Sequence, residues 1–100
     1  GGVAQAVVNV IKKEDPTREV KVVSAQGLAE CKKMMQLAAA GKYNGYLLEG
    51  MACPGGCIAG AGTLADPARS AMMLNKYKAQ ATMKTAADTP YKDTLDKLKY

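Results

Sequence analysis

Apolar residues open the chain with a helical period. Val3, Ala6, Val7, Val10 and Ile11 fall at i, i+3, i+4, i+7 and i+8, which predicts a helix beginning just after Gly1 and Gly2 and ending near Lys13. Glu14, Asp15, Pro16 and Thr17 break it, because proline restricts the residue before it and Asp favours turns. Residues 19–25, EVKVVSA, form a β-branched run of strand length. Gln26 and Gly27 turn the chain into a second helix over 28–40. Leu28, Cys31, Met35 and Ala38 or Ala39 line one side of it, and Glu30, Lys32, Lys33 and Gln36 the other. Gly41 stands where a C′ glycine is expected. Asn44 and Gly45 then lead into a strand over 46–51, YLLEGM.

Beyond residue 62, Asp66 followed by Pro67 reads as N-cap and first residue of a long helix reaching about Met83. Met73, Leu74, Tyr77 and Ala81 lie along one side of it and Met72, Ala79 and Met83 along another, an apolar arc too wide for one buried stripe. Thr89 and Pro90 repeat the cap signal for a last helix carrying Tyr91, Leu95 and Leu98. No internal repeat or low-complexity tract interrupts this series. The expected fold is α/β, a small parallel sheet of two strands with a right-handed crossover, flanked by about four helices. Parallel sheets are generally larger and covered on both faces, so the unit reads as the incomplete lobe of a larger domain.

Composition narrows the class. The 100 residues are 48% hydrophobic, enough for one domain with a small core. The net charge of +5 comes from lysines scattered over helical faces, without the basic patch and stacking aromatics of a nucleic-acid binder. No apolar run approaches the roughly 20 residues of a membrane-spanning helix, and Gly1 begins the chain without an initiator methionine, as a fragment would. Three cysteines are too few for a secreted disulfide scaffold and suit a reducing, cytoplasmic setting. The absence of histidine removes the commonest general base and metal ligand. Six methionines with no Phe or Trp make the core aliphatic and adaptable.

The candidate chemistry gathers in residues 49–62, EGMACPGGCIAGAG. A strand delivers Cys53 and Cys57 into a turn of Pro54, Gly55 and Gly56, at the strand end where open α/β sheets bind ligands. Five glycines from Gly50 onward suit strained torsions or the close approach of backbone to something bulky. Thiolates beside such a backbone suit a metal or an iron–sulfur cluster. Spacing alone leaves a pair of buried thiols or a redox disulfide equally open, and the glycines favour metal. Two sulfurs do not complete a site that wants four protein ligands. Cys31, among Leu28 and Met35, reads as a small core residue. Gly60, Gly62 and Ala65 spell GxGxxA ahead of a helix, but the phosphate-binding version of that pattern follows its strand at once, and this one does not. Glu49 reads either as an acid or base at the site or as an acceptor holding a neighbouring loop.

This segment resembles the third cluster-binding motif of the [FeFe]-hydrogenase (iron-only hydrogenase) catalytic domain, ExMxCxxGCxxGGGxP. Matches fall at Glu49, Met51, Cys53, Gly56, Cys57, Gly60 and Gly62. More weakly, the opening GGV and its helix resemble the family's segment ahead of this motif, and the last helices its C-terminal end. The resemblance implies that the chain, 1–100, is the C-terminal lobe of such a domain. It implies a [4Fe–4S] cluster joined to a two-iron subcluster that reversibly reduces protons to dihydrogen. Cys53 would then be a cluster ligand, Cys57 the bridging thiolate and catalytic residue, and Met51 apolar packing against the two-iron site. Gly56, Gly60 and Gly62 would bring backbone close to the cofactor. It also implies an N-terminal lobe as partner and a ferredoxin-like electron carrier for the parent. Ala61 replaces the middle glycine of the motif and Leu64 its proline, so the loop beyond Cys57 is expected to differ. The family's two earlier motifs, with the other cluster cysteines and the proton-relay residues, are absent from these residues. The polypeptide alone is therefore expected to be inactive, to hold no stable cluster, and to expose apolar surface or self-associate. Two other readings stay open: a hydrogenase-like iron–sulfur protein without hydrogenase activity, and a thiol redox module using Cys53 and Cys57.

Overall fold

The computed structural model describes residues 2–98. Helix α1 (Gly2–Glu14) is followed by strand β1 (Lys21–Gln26), helix α2 (Leu28–Ala39) and strand β2 (Tyr46–Met51). Helices α3 (Pro67–Ala79) and α4 (Lys92–Asp96) come after two single 3-10 turns have intervened, at Cys57–Ala59 before α3 and Ala86–Asp88 before α4. The strands pair in parallel, in a register that runs from Lys21 opposite Tyr46 to Gln26 opposite Met51. The fold is thus α/β, two parallel strands in one sheet with four helices, as the hydrophobic pattern predicts.

Local chemistry sets the joints. Asp15 closes the turn after α1, its carboxylate accepting from the Thr17 N–H at 3.2 Å and the Thr17 hydroxyl at 2.7 Å. Gly41, at φ +85°, ends α2 in a Schellman motif. The Lys42 N–H donates to the Leu37 carbonyl at 3.1 Å and the Gly41 N–H to Ala38 at 2.9 Å. Asp66 caps α3 by accepting from the Arg69 N–H at 2.9 Å, with Pro67 next to it.

Successive residues of a strand point to opposite faces, and the two helices flanking the sheet divide these faces between them. Glu49 meets α1 and Ser24 on one face. On the other, Gly50 lies beneath Cys31 and Met34 of α2, close enough that a methyl on Gly50 would stand 3.2 Å from the Cys31 sulfur. The core is small: Ala4, Val8, Ala25 and Met34, with Glu49 as its buried polar member.

That narrow sheet corrects the expected helix faces. In α1 the buried residues are Ala4 and Val8, with Val10 and Ile11 half-buried, whereas Val3 and Val7 are exposed. The Ala4 N–H, in the first turn of this helix, donates to Glu49. In α2 the inward stripe is Cys31, Met34, Leu37 and Ala38, while Leu28 and Met35 are 75% and 60% exposed. Two strands are too narrow for Leu28 and Met35 to find cover. Helix α3 stops at Ala79 instead of reaching Met83, and it buries no residue. With no packed face to extend it, the tertiary support that usually carries a helix is missing. Thr89 does not cap the last helix. Its hydroxyl accepts from the Tyr91 N–H at 3.3 Å, and α4 starts at Lys92, leaving Tyr91 and Leu98 outside it. A capping box forms earlier than expected, between Thr85 and Asp88, and Lys13 pairs with Asp88 to tie the end of α1 to this turn.

The corrected stripe makes a prediction. Met34→Ala, which empties a buried site, should lower the unfolding free energy by about 2 kcal/mol or more. Leu28→Ala should change it by less than about 0.5 kcal/mol. Urea denaturation of both variants checks the contrast.

Candidate functional site

Beyond Met51 the chain makes two tight turns in succession. The Gly56 N–H donates to the Cys53 carbonyl at 3.0 Å, with Pro54 and then Gly55 at the corner. This is the residue order of a type II turn, which needs positive φ at its third position, and Gly55 has φ +82°. Side chains are also excluded there by space, since a Cβ on Gly55 would lie 2.8 Å from that of Ala59. The second turn follows at Cys57–Ala59, where the Ala59 N–H donates to Gly56 at 3.0 Å and the Gly60 N–H to Cys57 at 3.3 Å. The chain doubles back so tightly that a Cβ on Gly60 would stand 3.3 Å from both the Cys53 sulfur and the Cys57 carbonyl oxygen. Bare backbone at Gly60 therefore makes the room in which the Cys53 sulfur sits.

The loop is seated on the carboxyl ends of both strands. The Met51 carbonyl accepts from the Gly27 N–H at 2.8 Å and from the Cys31 thiol at 3.5 Å. Cys31 also reaches the Ala25 carbonyl at 3.8 Å, so its thiol serves the sheet end and α2, as a small core residue would. Pro54 lies against Gly27, the residue that opens α2.

Of the residues singled out by the motif, Met51, Gly56 and Cys57 come together as the lining of one cleft of about 370 Å³. Val3 of α1 and Leu74 of α3 form its other walls. Cys53 and Gly60 face each other behind the loop, outside that lining, and Gly62 turns the chain onward at φ +83°. Cys57 is exposed and Cys53 half-buried, and all three cysteines are free. Among the described residues no group of three or more His, Cys, Asp or Glu is placed to hold a metal ion. No helix among them is long and apolar enough to cross a membrane.

Glu49, two residues before Met51, is only 6% exposed. One carboxylate oxygen accepts from the Ala4 N–H of α1 at 2.9 Å and the other from the Ser24 hydroxyl of β1 at 3.0 Å. Helix α1 has no acidic residue in its own first turn, so a strand 45 residues away supplies the negative charge that complements its N-terminus. The Ala4 N–H, and after it the Ser24 hydroxyl, hold the carboxyl below its ordinary value of 4.5 against the opposing effect of burial. Ser24 is a functional neighbour that periodicity alone does not reveal. The available signal is a hydroxyl within a β-branched run, directly opposite Glu49 in the strand register.

Fold and loop together define a small α/β unit that presents two thiols on a glycine-bound loop at the carboxyl end of a parallel pair. The family model for the iron only hydrogenase large subunit, C-terminal domain, matches residues 1–61, and the chain belongs to that family. The match runs from α1 through β2 and the cysteine loop, and ends just after Gly60. No curated protein and no solved structure matches the chain.

The state of Glu49 sets an acid limit. Its folded pKa lies below the unfolded one, so its contribution is fully present above the ordinary value of about 4.5 and is lost as pH falls through the lower folded value. Asp88, brought down to about 2 chiefly by Lys13, acts in the same direction at still lower pH. Stability should therefore fall on acidification below about pH 4.5, and Glu49→Gln should flatten the upper part of that fall. Urea midpoints measured from pH 3 to pH 7 test this, and identical slopes in both proteins would refute it.

Proposed function

We propose that this chain is the C-terminal lobe, residues 1–100, of an [FeFe]-hydrogenase catalytic domain. In this reading it supplies two cysteine ligands to a [4Fe–4S] cluster joined to a two-iron subcluster. The observation that carries the reading is the pairing of Cys53 and Cys57 on a glycine-rich loop, with Cys57 opening into the cleft that Met51 and Gly56 share. The residues present fit such a group. Two soft sulfur donors stand four residues apart on one loop, and a Cβ at Gly60 would stand only 3.3 Å from the Cys53 sulfur.

In this reading Cys53 holds the four-iron part and Cys57 is the bridging thiolate. When bound, the centre supplies the reversible reduction of protons to dihydrogen. The chain's own residues bind and shield. Met51 offers a polarizable, apolar surface on the cleft beside Cys57. Gly56, Gly60 and Gly62 keep backbone free to approach sulfide and thiolate, which tunes potential through hydrogen bonding and exclusion of water. The N-terminal lobe of the same catalytic domain supplies the remaining ligands, and a ferredoxin-like carrier supplies electrons. The exposure of Met72, Met73, Leu74 and Tyr77 along α3, between 55% and 75%, supports a partner surface next to the cleft.

Anaerobic reconstitution with iron and sulfide tests the ligand assignment. Iron uptake should depend on Cys53 and Cys57, falling sharply in Cys53→Ser and Cys57→Ser but not in Cys31→Ser, and should stay below the four irons per chain of a complete cluster. A stoichiometric four-iron cluster on the isolated chain, or uptake indifferent to both loop cysteines, would overturn the reading. A reversible disulfide between Cys53 and Cys57 without iron uptake would favour the thiol redox alternative.

A further inference from the structure

We infer that Glu49 is a positioning residue for the cysteine cleft, acting through α1. Its carboxylate accepts from the Ala4 N–H, and the neighbouring Val3 lines the cleft together with Met51 and Cys57. The same carboxylate binds Ser24 of β1, so one buried group fixes the helix, both strands and hence the width of the cleft mouth. Ala4 itself is 4% exposed and Val3 62% exposed, so the first turn of α1 is held where Ala4 meets Glu49. Releasing Ala4 lets the first turn of α1 lift from the sheet, which uncovers Met51 without disturbing α2 on the opposite face.

The inference rests on the proposed reading for its importance, because a cleft of fixed width matters where Cys57 meets a cofactor. Its test needs no metal, so either idea can fail alone. The six methionines report both faces of the sheet in one experiment. Met51 lines the cleft, Met34 is buried under α2 at 6% exposure, and Met35, Met72, Met73 and Met83 are all more than half exposed. Brief exposure to dilute hydrogen peroxide, followed by mass spectrometry of the peptides, gives the oxidation rate of each.

In Glu49→Ala, Met51 should oxidise about threefold faster relative to the exposed methionines, because a half-buried side chain on a cleft gains only the step from partial to full exposure when the first turn of α1 opens. Met34 should keep its protection. Glu49→Gln, whose amide can accept from Ala4 and donate to Ser24, should restore the slow Met51 rate. Glu49→Asp, one methylene shorter and unable to span both partners, should fall between. An unchanged Met51 rate in Glu49→Ala overturns the inference. So does a joint rise of Met51 and Met34 in both the Ala and the Asp variant, because it would make Glu49 a general support of the fold and nothing more.

Discussion

A carboxylate buried between a helix end and a strand hydroxyl is the constraint around which the unit is arranged. Burying a charge is costly unless donors and opposite polarity surround it, and among the described residues only four apolar ones are buried to offset the cost. Glu49 meets the requirement with the Ala4 N–H, the Ser24 hydroxyl and the positive end of the α1 dipole. The arrangement joins three elements that are far apart in sequence, and it does so one turn of chain before the cysteines. The loop over residues 51–57 thus starts two residues after a group hydrogen-bonded to both a helix and the neighbouring strand.

Punctuation was legible in the sequence, and orientation was not. Gly41 at its C′ position, the Asp66–Pro67 start and the strand 46–51 are all fixed by chemistry within a few residues, so a local reading suffices. Which stripe of a helix faces inward depends on what lies across from it. Periodicity points to the Leu28–Met35 side of α2, and the narrow two-stranded surface beneath buries the Met34 side instead. In α1 the Ala4 N–H donates to Glu49, and no hydrophobic count contains that contact. The cysteine motif was legible for a different reason: a dense series of glycines and sulfurs has no use in a core. Its partition, with Cys57 on the cleft and Cys53 outside that lining against Gly60, is set by how the two turns fold back on each other.

The second half of the chain follows from an absence of packing among the described residues. Helix α3 has a sound cap and strong helix formers, yet Met72, Met73, Leu74 and Tyr77 lie largely open and the helix ends four residues before the pattern does. Propensity and capping start a helix, but burial of a face carries most of its stability. The family match stops at residue 61, before this helix begins, so its placement beside the cleft comes from the structure alone.

Why the loop sacrifices packing is the last step. A turn built from Pro54, Gly55 and Gly56 contributes almost no apolar burial, and its glycines cost more backbone entropy on ordering than other residues would. In a domain with so little core that cost must be balanced by something other than the fold. A Cβ at Gly55 would strike Ala59 and one at Gly60 would crowd the Cys53 sulfur, so these glycines are required by the path and by the space around a thiol. Close backbone alone does not separate the thiols, since a Cβ on Gly50 would stand 3.2 Å from the Cys31 sulfur, but the Cys31 thiol is engaged by the Ala25 and Met51 carbonyls between α2 and the strand ends. The contrast between Cys31, hydrogen-bonded to two carbonyls beneath α2, and Cys57, exposed on the cleft with Cys53 four residues before it on the same loop, is the physical ground on which the pair is proposed for a ligand and the third cysteine for packing.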